Sequence, residues 1–377
     1  MMTTTQTVSV GLGERSYDIR VGPGLIENAG DEIKPLIRGS KVFVITDSTV
    51  SGHWLDPLKR SLRAAGITVT TIAVPPGESS KSFADFEHVC CRMLEDGVDR
   101  RTAVVALGGG VVGDLAGYCA ASVMRGLDFI QIPTTLLAQV DSSVGGKTGI
   151  NTPQGKNLVG AFHQPRLVLA DTGTLDTLPK REVRAGYAEV VKYGLIRDPA
   201  FFEWLEQHGA ALIAGDEAAR ISAVVESCKA KAAVVAADER EAGLRELLNF
   251  GHTFGHALEA AAGFDGTLLH GEAVSIGMIQ ALELSRRLGL CAGQDAERAR
   301  AHLGAMGLMT RVADIPGAAQ WDAEALLASM RRDKKARDGM IRFVLARGIG
   351  GAFTSDDVAP DAARAMLQED LSVAAGV

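Results

Sequence analysis

The sequence predicts an α/β protein with an N-terminal Rossmann-like parallel-sheet domain and a mostly α-helical C-terminal domain. Short β-branched runs alternate with helical stretches up to about residue 178, and after it a 3.6-residue apolar period dominates. A Gly-rich turn joins one of the runs to the following helical stretch. A chain of 377 residues is also long for a single core. We therefore expect one domain over residues 1–178 and another over 179–377.

The first half begins with a predicted β-hairpin and continues as alternating strands and helices. Residues 7–21 alternate apolar and polar side chains around a Gly-Leu-Gly-Glu-Arg turn, which is typical of a hairpin. Strands are predicted at residues 41–46, 69–74, 103–107, 129–132 and 167–170, and helices at 54–65, 83–95 and 115–125. This alternation predicts a largely parallel sheet that binds ligands at the carboxyl ends of its strands.

The second half is predicted to be helical. Apolar periodicity indicates helices at residues 181–195, 201–213, 216–237, 249–262, 271–288 and 296–306, and a late β-segment at 340–345 suggests a small hairpin. Two domains of this kind imply a cleft where a ligand could bind.

Composition narrows the classes of function. The net charge of −7 is spread along the chain, so we expect neither nucleic acid nor a membrane surface as a partner. The first eight residues lack a signal pattern and no apolar run reaches the roughly 18 residues of a membrane span, so a cytoplasmic protein is expected. The five cysteines include no C-x-x-C pair, so any metal would need His and carboxylate ligands.

The Gly-rich turn runs Gly-Gly-Gly-Val-Val-Gly-Asp over residues 108–114. Gly108, Gly110 and Gly113 satisfy the G-x-G-x-x-G pattern between a strand and a helix, which indicates a dinucleotide pyrophosphate at the helix N-terminus. Tight packing without any ligand is the alternative explanation. Asp128 lies at the start of a strand, so we do not assign it to a ribose.

Polar residues also follow other predicted strands of this half. Each could simply form a turn or a helix N-cap, but together they outline a nucleotide-binding crevice. They are Asp47 and Thr49, Glu78 and Lys81, Thr134 and Thr135, and Asp141 and Ser142.

A polar stripe in the second half suggests a metal centre. Arg245, Asn249, His252 and His256 are spaced four, three and four residues apart, so a single helix would place them on one face. Two His residues at i and i+4 commonly chelate zinc. The spacing favours His252 with His256, and either His270 or Glu189 could supply a third ligand.

Several lysines indicate an anionic ligand. Lys147 and Lys156 lie in Gly-containing segments rather than on amphipathic helices, and Lys192 and Lys231 could add positive charge or lie on a helix surface. The Val-Gly-Gly-Lys-Thr segment is not a phosphate loop of the ATPase type, because Asp141 stands where that motif requires Gly.

Seven linked motifs, in order along most of the chain, resemble the 3-dehydroquinate synthase family. They are the Gly-rich turn, Ile-Pro-Thr-Thr-Leu-Leu-Ala-Gln-Val-Asp-Ser-Ser-Val-Gly-Gly-Lys-Thr, Gly-Lys-Asn, Ala-Glu-Val-Val-Lys-Tyr-Gly, Ala-Asp-Glu-Arg-Glu, Leu-Leu-Asn-Phe-Gly-His-Thr-Phe-Gly-His and His-Gly-Glu-Ala-Val. The resemblance implies an NAD-binding first domain and a metal- and substrate-binding second domain.

The resemblance also implies a role for each matching residue. The metal, Zn or Co, would be held by Glu189, His252 and His270, which replaces the pair favoured by spacing. NAD would meet Asp47, Thr49, Glu78, Lys81, Gly109, Gly110, Val111, Val112, Gly113, Asp114, Thr134, Thr135, Ser142, Lys147, Lys156, Thr174, Leu175, Asp176 and Thr177. Catalytic roles would fall to Lys147, Asn157, Lys192, Arg245 and His256, and substrate binding to Arg125, Asp141, Lys156, Lys231, Asn249 and Lys334 or Lys335.

The implied reaction converts 3-deoxy-D-arabino-heptulosonate 7-phosphate to 3-dehydroquinate and phosphate, a carbon–oxygen lyase step of the shikimate pathway to aromatic amino acids. NAD would be reduced and then reoxidised, and the substrate phosphate, oriented by Lys147, Asn157 and His256, would take the C6 proton. A homodimer is expected. Three alternatives are a related sugar phosphate cyclase, a metal-dependent polyol dehydrogenase that releases NADH, and a non-enzymatic NAD sensor.

Overall fold

A computed structural model describes residues 5–241, 243–263, 266–332 and 341–376. These residues divide into two compact units. The first consists of the chain up to Pro179 together with Gly215–Arg240, and the second consists of Lys180–Ala214 together with the chain from Glu241 onward. Among the described residues, no helix combines the length and the apolar character that crossing a bilayer requires.

The strands of the two units follow one another along the chain. They are β1 (Gln6–Val10), β2 (Tyr17–Gly22), β3 (Lys41–Asp47), β4 (Thr68–Val74), β5 (Ala103–Gly108), β6 (Asp128–Pro133), β7 (Lys147–Thr152), β8 (Gly155–Phe162), β9 (Leu167–Asp171), β10 (Phe343–Ala346) and β11 (Ala352–Ser355).

The helices are numbered in the same way. They are α1 (Ala29–Ile33), α2 (Ser48–Val50), α3 (Asp56–Ala64), α4 (Phe83–Glu95), α5 (Gly110–Ser122), α6 (Lys180–Arg197), α7 (Pro199–Ala214), α8 (Glu217–Ala237), α9 (His252–Ala261), α10 (His270–Arg287), α11 (Gly293–Ala305), α12 (Ala323–Arg332) and α13 (Pro360–Ala375).

The first unit is built on a seven-stranded sheet with the order β1-β2-β9-β6-β5-β3-β4. Only the β1–β2 pair is antiparallel, and it is the hairpin that the sequence predicts. The other neighbours are parallel. The predicted α/β fold class is confirmed, with a parallel-sheet N-terminal part and a helical C-terminal part.

Side chains of the central strands alternate between two apolar layers. Val42 and Val44 of β3 belong to the layer that includes α1 and α3, whereas Phe43 and Ile45 belong to the layer that includes α4 and α5. Strands covered on both faces read as continuous apolar runs, which is why the sequence located β3, β5, β6 and β9 to within one residue at each end.

The local structure differs from the sequence-based expectation in three places. Residues 147–162, for which no strand was predicted, form the antiparallel β7–β8 hairpin, which carries Lys147, Lys156 and Asn157. Strand β8 is largely exposed and Gly-containing, so it lacks the apolar alternation on which strand prediction depends. Helix α5, expected from residue 115, begins at Gly110, within the Gly-rich segment 108–114. Helices α12 and α13 were not predicted.

Helix α8 belongs to the first unit although the chain around it belongs to the second. It packs against β1 and β2, whereas a single boundary at residue 178 would assign it to the second part of the chain. The second unit contains the remaining helices from α6 onward and the small β10–β11 hairpin that the sequence predicts near residue 345.

The carboxylate of Asp171, at the end of β9, ties together the backbone of the first unit. It accepts hydrogen bonds from the N–H groups of Gly24 (3.0 Å), Ile26 (2.9 Å) and Gly173 (3.0 Å), and the residue is almost completely buried. One carboxylate therefore fixes the turn after β2 and its own strand end.

Replacing this carboxylate should destabilise the first unit. The Asp171→Ala change leaves one buried and two partly buried N–H groups without this acceptor. The loss should cost about 3 kcal/mol and lower the thermal midpoint by roughly 5–10 °C. Calorimetry would measure the shift. Asp18→Ala, which removes only an exposed bond from Ser9, is the matched control and should shift the midpoint far less. Equal shifts would contradict this account.

Candidate functional site

Three side chains of the second unit converge on one point. Glu189 lies in the middle of α6, and His252 and His270 are the first residues of α9 and α10. The Nε2 atoms of His252 and His270 lie 3.4 and 3.3 Å from Oε1 of Glu189, and the three potential ligand atoms all lie within 4.8 Å of one another. The structure therefore assembles the Glu/His/His set from three helices.

The local backbone explains why both imidazoles begin helices. The sequence predicts one helix through Arg245, Asn249, His252 and His256, but the structure breaks it. Residues Leu244–Asn249 form a separate 3-10 turn, and Gly251 precedes α9 with a φ of 81°. A Cβ at Gly251 would also lie 2.8 Å from the backbone nitrogen of Met278 on α10. The break therefore lets α9 and α10 pack closely.

The carboxylate of Glu189 is fully buried, and positive groups surround it. Lys192, one turn further along α6 and also buried, forms an ion pair with Oε2. Burial alone would raise the pKa of Glu189, but the positive charge of Lys192 and the nearby imidazoles of His252 and His270 hold this pKa well below its usual range. Glu189 is therefore a carboxylate anion deep inside the protein.

The two imidazoles of the set have opposite protonation behaviour. Burial lowers the pKa of His252 to about 4, so its ring is neutral near pH 7. Burial also opposes charge on His270, but Glu259 and Glu189 outweigh it and raise the pKa of His270 to about 10. A cation at this point would therefore displace a proton from His270.

Among the other predicted residues of the second unit, the structure places His256 beside this set. The ring centroids of His256 and His252 are 5.4 Å apart, Arg245 is almost completely buried, and the side-chain amide of Asn249 donates to Glu241 Oε1 (3.2 Å). His256, Glu259 and His270 form a second group within 4.8 Å. Lys334 and Lys335 lie outside the described residues.

The first unit gathers a separate cluster beside the Gly-rich turn. Nζ of Lys81 donates to Asp114 Oδ2 (2.7 Å) and to Asn157 Oδ1 (2.5 Å), and Glu78 Oε1 lies 3.6 Å from the same ammonium. Burial opposes the charge of Lys81, but Asp114 and Glu78 outweigh it and raise its pKa. The segment after β4, helix α5 and strand β8 therefore each contribute a residue to this cluster.

The Gly-rich turn itself is tight. Gly109 is the N-cap of α5, and no described side chain caps this helix. A Cβ at Gly108 would lie 2.7 Å from the side chain of Val112, so this turn requires glycine. The first N–H groups of α5, which include those of Val111 and Val112, lie in the second part of this turn and can bind an anion.

A second ion pair in the first unit joins Lys231 of α8 to Asp141. The ammonium donates to the carboxylate (2.7 Å) and to the backbone oxygen (2.6 Å) of Asp141, which lies in a short π-helical segment, Ala138–Ser142. The carboxylate of Asp141 therefore holds Lys231, a role that the glycine of a phosphate loop could not fill.

Several other predicted NAD contacts also have local structural roles. Asp47 accepts the first N–H bonds of α2, Thr135 caps the segment after β6, Thr177 accepts a bond from Trp54, and Asp176 binds Arg220 at 2.6 Å. Thr134 is buried. A further group consists of Thr49, Ser142, Thr174, Leu175 and Lys156, which lie in the same unit.

Arg125 is not brought to this cluster. It lies just past the C-terminal end of α5, exposed and with a φ of 65°, about 20 Å along the helix axis from the Gly-rich turn. Lys147, at the start of β7, is likewise exposed.

Three residues with a role here were missed in the sequence. Gln139 donates to the carbonyls of Pro133 and Asp171 and so ties two strand ends together. Asn151 donates to Glu78 (2.7 Å) and accepts from the N–H of Asn157 (3.0 Å). Glu259 contacts His270. Only Glu259 carried a signal, because it continues the spacing of His252 and His256 on one helix face.

Comparison with known proteins identifies the family of this chain. A model described as "3-dehydroquinate synthase N-terminal" matches residues 71–185, and one described as "3-dehydroquinate synthase C-terminal" matches residues 186–336. A protein of Rhodospirillum rubrum named 3-dehydroquinate synthase is 63% identical over 92% of this chain and 90% of its own. One of Cereibacter sphaeroides with the same name is 58% identical over 98% and 99%.

Solved structures resemble the chain over nearly its full length. One is ValA, a 2-epi-5-epi-valiolone synthase of Streptomyces hygroscopicus with NAD⁺ and Zn²⁺ bound; it is 30% identical, with a TM-score of 0.85 over 97% of this chain and 98% of that one. A 2-deoxy-scyllo-inosose synthase with carbaglucose-6-phosphate, NAD⁺ and Co²⁺ is 28% identical, with a TM-score of 0.84 over 97% and 100%. An iron-containing alcohol dehydrogenase of Thermotoga maritima, 19% identical with a TM-score of 0.67 over 99% and 100%, shares the fold alone.

The fold and site therefore define an enzyme of the class whose solved members are NAD- and metal-bound cyclases. Within that class, the chain belongs to the 3-dehydroquinate synthase family. The resemblance seen in the motifs is confirmed.

The network around Asn151 can be tested by itself. Asn151→Ala removes two side-chain hydrogen bonds, one of which holds Asn157 at its positive φ of 56°, so it should cost about 1–2 kcal/mol. The thermal midpoint should fall by roughly 2–6 °C in calorimetry. Asn28→Ala removes one exposed bond to Gly24 and should change the midpoint little; an equally large fall would refute the assignment.

Proposed function

We propose that the chain is a 3-dehydroquinate synthase that converts 3-deoxy-D-arabino-heptulosonate 7-phosphate to 3-dehydroquinate and phosphate, with NAD and a divalent metal, Zn or Co, as cofactors. The single observation that carries the proposal is the convergence of Glu189, His252 and His270 within 4.8 Å in a member of this family. The relatives named above carry the same activity in their names.

The residues present fit a divalent metal. One carboxylate oxygen and two imidazole nitrogens are donors that zinc commonly takes, and three protein ligands leave a position for substrate. Both oxygens of Glu189 are buried; Oε2 pairs with Lys192, and Oε1 receives no well-formed hydrogen bond from a described residue. The imidazole nitrogens at 3.3 and 3.4 Å lie beyond ordinary hydrogen-bond length. An ion among these three atoms would satisfy all of them.

The first unit fits NAD. The uncapped start of α5 supplies N–H groups for a pyrophosphate, and the Lys81 ammonium nearby adds positive charge. Asp114, Glu78 and Asn157 supply hydrogen-bonding oxygens and are held in place by Lys81 and Asn151. We assign Lys81, Asp114 and Glu78 to NAD binding together with Asp47, Thr135 and Thr174–Thr177.

When bound, NAD supplies a hydride acceptor that later returns the hydride, and the metal supplies a Lewis acid for the hydroxyls beside the reacting carbon. The chain's own groups bind and orient the substrate. Buried Lys192 carries positive charge next to Glu189, and buried Arg245 offers a planar fork that suits a carboxylate or phosphate. His256, whose ring lies beside those of His252 and His270, can hold a hydrogen bond to a substrate oxygen.

In the first unit, Lys147, Lys156 and Asn157 lie on the β7–β8 hairpin, so one element presents two ammonium groups and an amide to an anionic substrate. Lys231 is held against Asp141 in the same unit. We assign Lys147, Lys156, Asn157, Lys231 and Asp141 to substrate binding. Lys147 and Lys156 are also assigned to NAD binding.

We further propose a homodimer that works in the cytoplasm. The resemblance to the family supports the dimer. The five cysteines are all free thiols, as is usual in a reducing compartment.

The activity is tested by phosphate release from 3-deoxy-D-arabino-heptulosonate 7-phosphate, with NADH absorbance followed in parallel. We expect release that requires both NAD and the metal, that stops after chelator treatment, and that leaves no net NADH. Accumulating NADH would indicate a dehydrogenase. Turnover only with another sugar phosphate would indicate a different cyclase.

The metal centre is tested by His270→Ala. Loss of one of three ligands should reduce turnover by more than about 100-fold while NAD binding, measured by fluorescence titration, stays near the wild-type value. His88→Ala, on the exposed face of α4, is the matched control and should keep full activity. Turnover by His270→Ala in metal-free buffer would show that the metal site is assigned to the wrong residues.

A further inference from the structure

A carboxylate outside the Glu/His/His set contacts one of its imidazoles. Glu259 lies on α9, and its Oε2 is 2.9 Å from Nδ1 of His270. The other ring nitrogen of His270, Nε2, faces Oε1 of Glu189 at 3.3 Å. The glutamate side chain is only 4% exposed, so solvent does not compete for this contact. The ring of His270 is therefore held between two buried carboxylates.

The backbone of His270 is fixed separately from its ring. Arg181 of α6 forms a bidentate ion pair with Glu272, at 2.7 Å for both contacts, and donates to the carbonyl of Thr267 (2.7 Å). Glu272 also accepts from the N–H of Leu269 (2.8 Å). These bonds hold the start of α10, where His270 is the first residue, but none of them sets the rotation of its ring.

The contact with Glu259 sets that rotation and selects the nitrogen that can bind a metal. A metal at Nε2 needs the lone pair of that nitrogen, so the remaining ring proton must reside on Nδ1. A carboxylate that accepts a hydrogen bond from the Nδ1 proton fixes both the tautomer and the ring plane. It also makes Nε2 a stronger electron-pair donor to the metal.

We propose that Glu259 is a positioning residue that orients His270 as a metal ligand through Nε2. The inference rests on the proposed metal site. It differs from the other arrangement of the same side chains, in which His256, Glu259 and His270 would themselves hold the ion. In that arrangement Glu259 would be a ligand, and His252 would have no part in binding.

The test measures Zn²⁺ affinity of the full-length apoprotein by competition with a chromogenic chelator at fixed pH. Glu259→Leu should weaken binding by roughly 10–100-fold. Glu259→Gln should weaken it less, because an amide oxygen can still accept the Nδ1 proton. Glu283→Gln is the matched control, a glutamate on α10 paired with Arg286, and should bind as the wild type does. His252→Ala serves as the reference for loss of a direct ligand.

Two further readouts separate positioning from a general structural role. The visible absorption of the Co²⁺-loaded protein should change in Glu259→Leu, because the ring plane is no longer fixed, and should be largely restored in Glu259→Gln. The thermal midpoint of each apoprotein checks folding, and the Gln variant, equal in size, carries the test if the Leu variant fails to fold.

Each other outcome overturns the inference. Wild-type affinity in folded Glu259→Leu and Glu259→Gln would show that the contact does not position the ligand. Loss in Glu259→Gln as large as in His252→Ala, or a harmless His252→Ala, would make Glu259 a ligand. No Zn²⁺ or Co²⁺ binding by the wild type would refute the metal site and this inference together, whereas wild-type affinity of the Glu259 variants leaves the metal site standing.

Discussion

The burial of the Glu189 carboxylate is the constraint on which the second unit depends. Removing one charge from water costs several kcal/mol unless opposite charges or donors replace the solvent. Lys192 and the imidazoles of His252 and His270 supply that replacement, so α6, α9 and α10 must meet at one point. The break at Gly251 serves the same purpose, because it allows α9 to begin at His252 against α10. An arrangement held in place before any ligand arrives suits a metal.

In the first unit, buried charges are compensated by ion pairs. Lys81 and Lys231 are almost completely buried, and each is held by an aspartate, Asp114 or Asp141. Such pairs contribute little net stability when buried, but they fix the direction of an ammonium group. Asn151 fixes the backbone of Asn157 on the β7–β8 hairpin by accepting a hydrogen bond from its N–H group. The positive charges that an anionic ligand needs are therefore placed by partners that belong to the fold.

The fold does not by itself define the reaction. The Thermotoga maritima alcohol dehydrogenase shares it at 19% identity, and a valiolone synthase shares it at 30%. What distinguishes these proteins is the set of groups that meet a substrate. The set that we propose for this chain combines a Glu/His/His group with Lys192, Arg245 and His256 in one unit, which suits a phosphorylated acid better than a neutral alcohol.

The sequence by itself determined the strands and helices whose apolar pattern repeats with a fixed period, such as β3, β5 and α4, and its motifs determined the family. It did not determine which residues meet. Spacing favoured His252 with His256, since it describes neighbours on one helix, whereas Glu189 reaches His252 only because two helices pack together. Hairpin β7–β8, the return of α8 to the first unit, and the contact of Glu259 with His270 were likewise decided by tertiary packing. Local periodicity reports burial along one element, and carries no information about the element that will cover it.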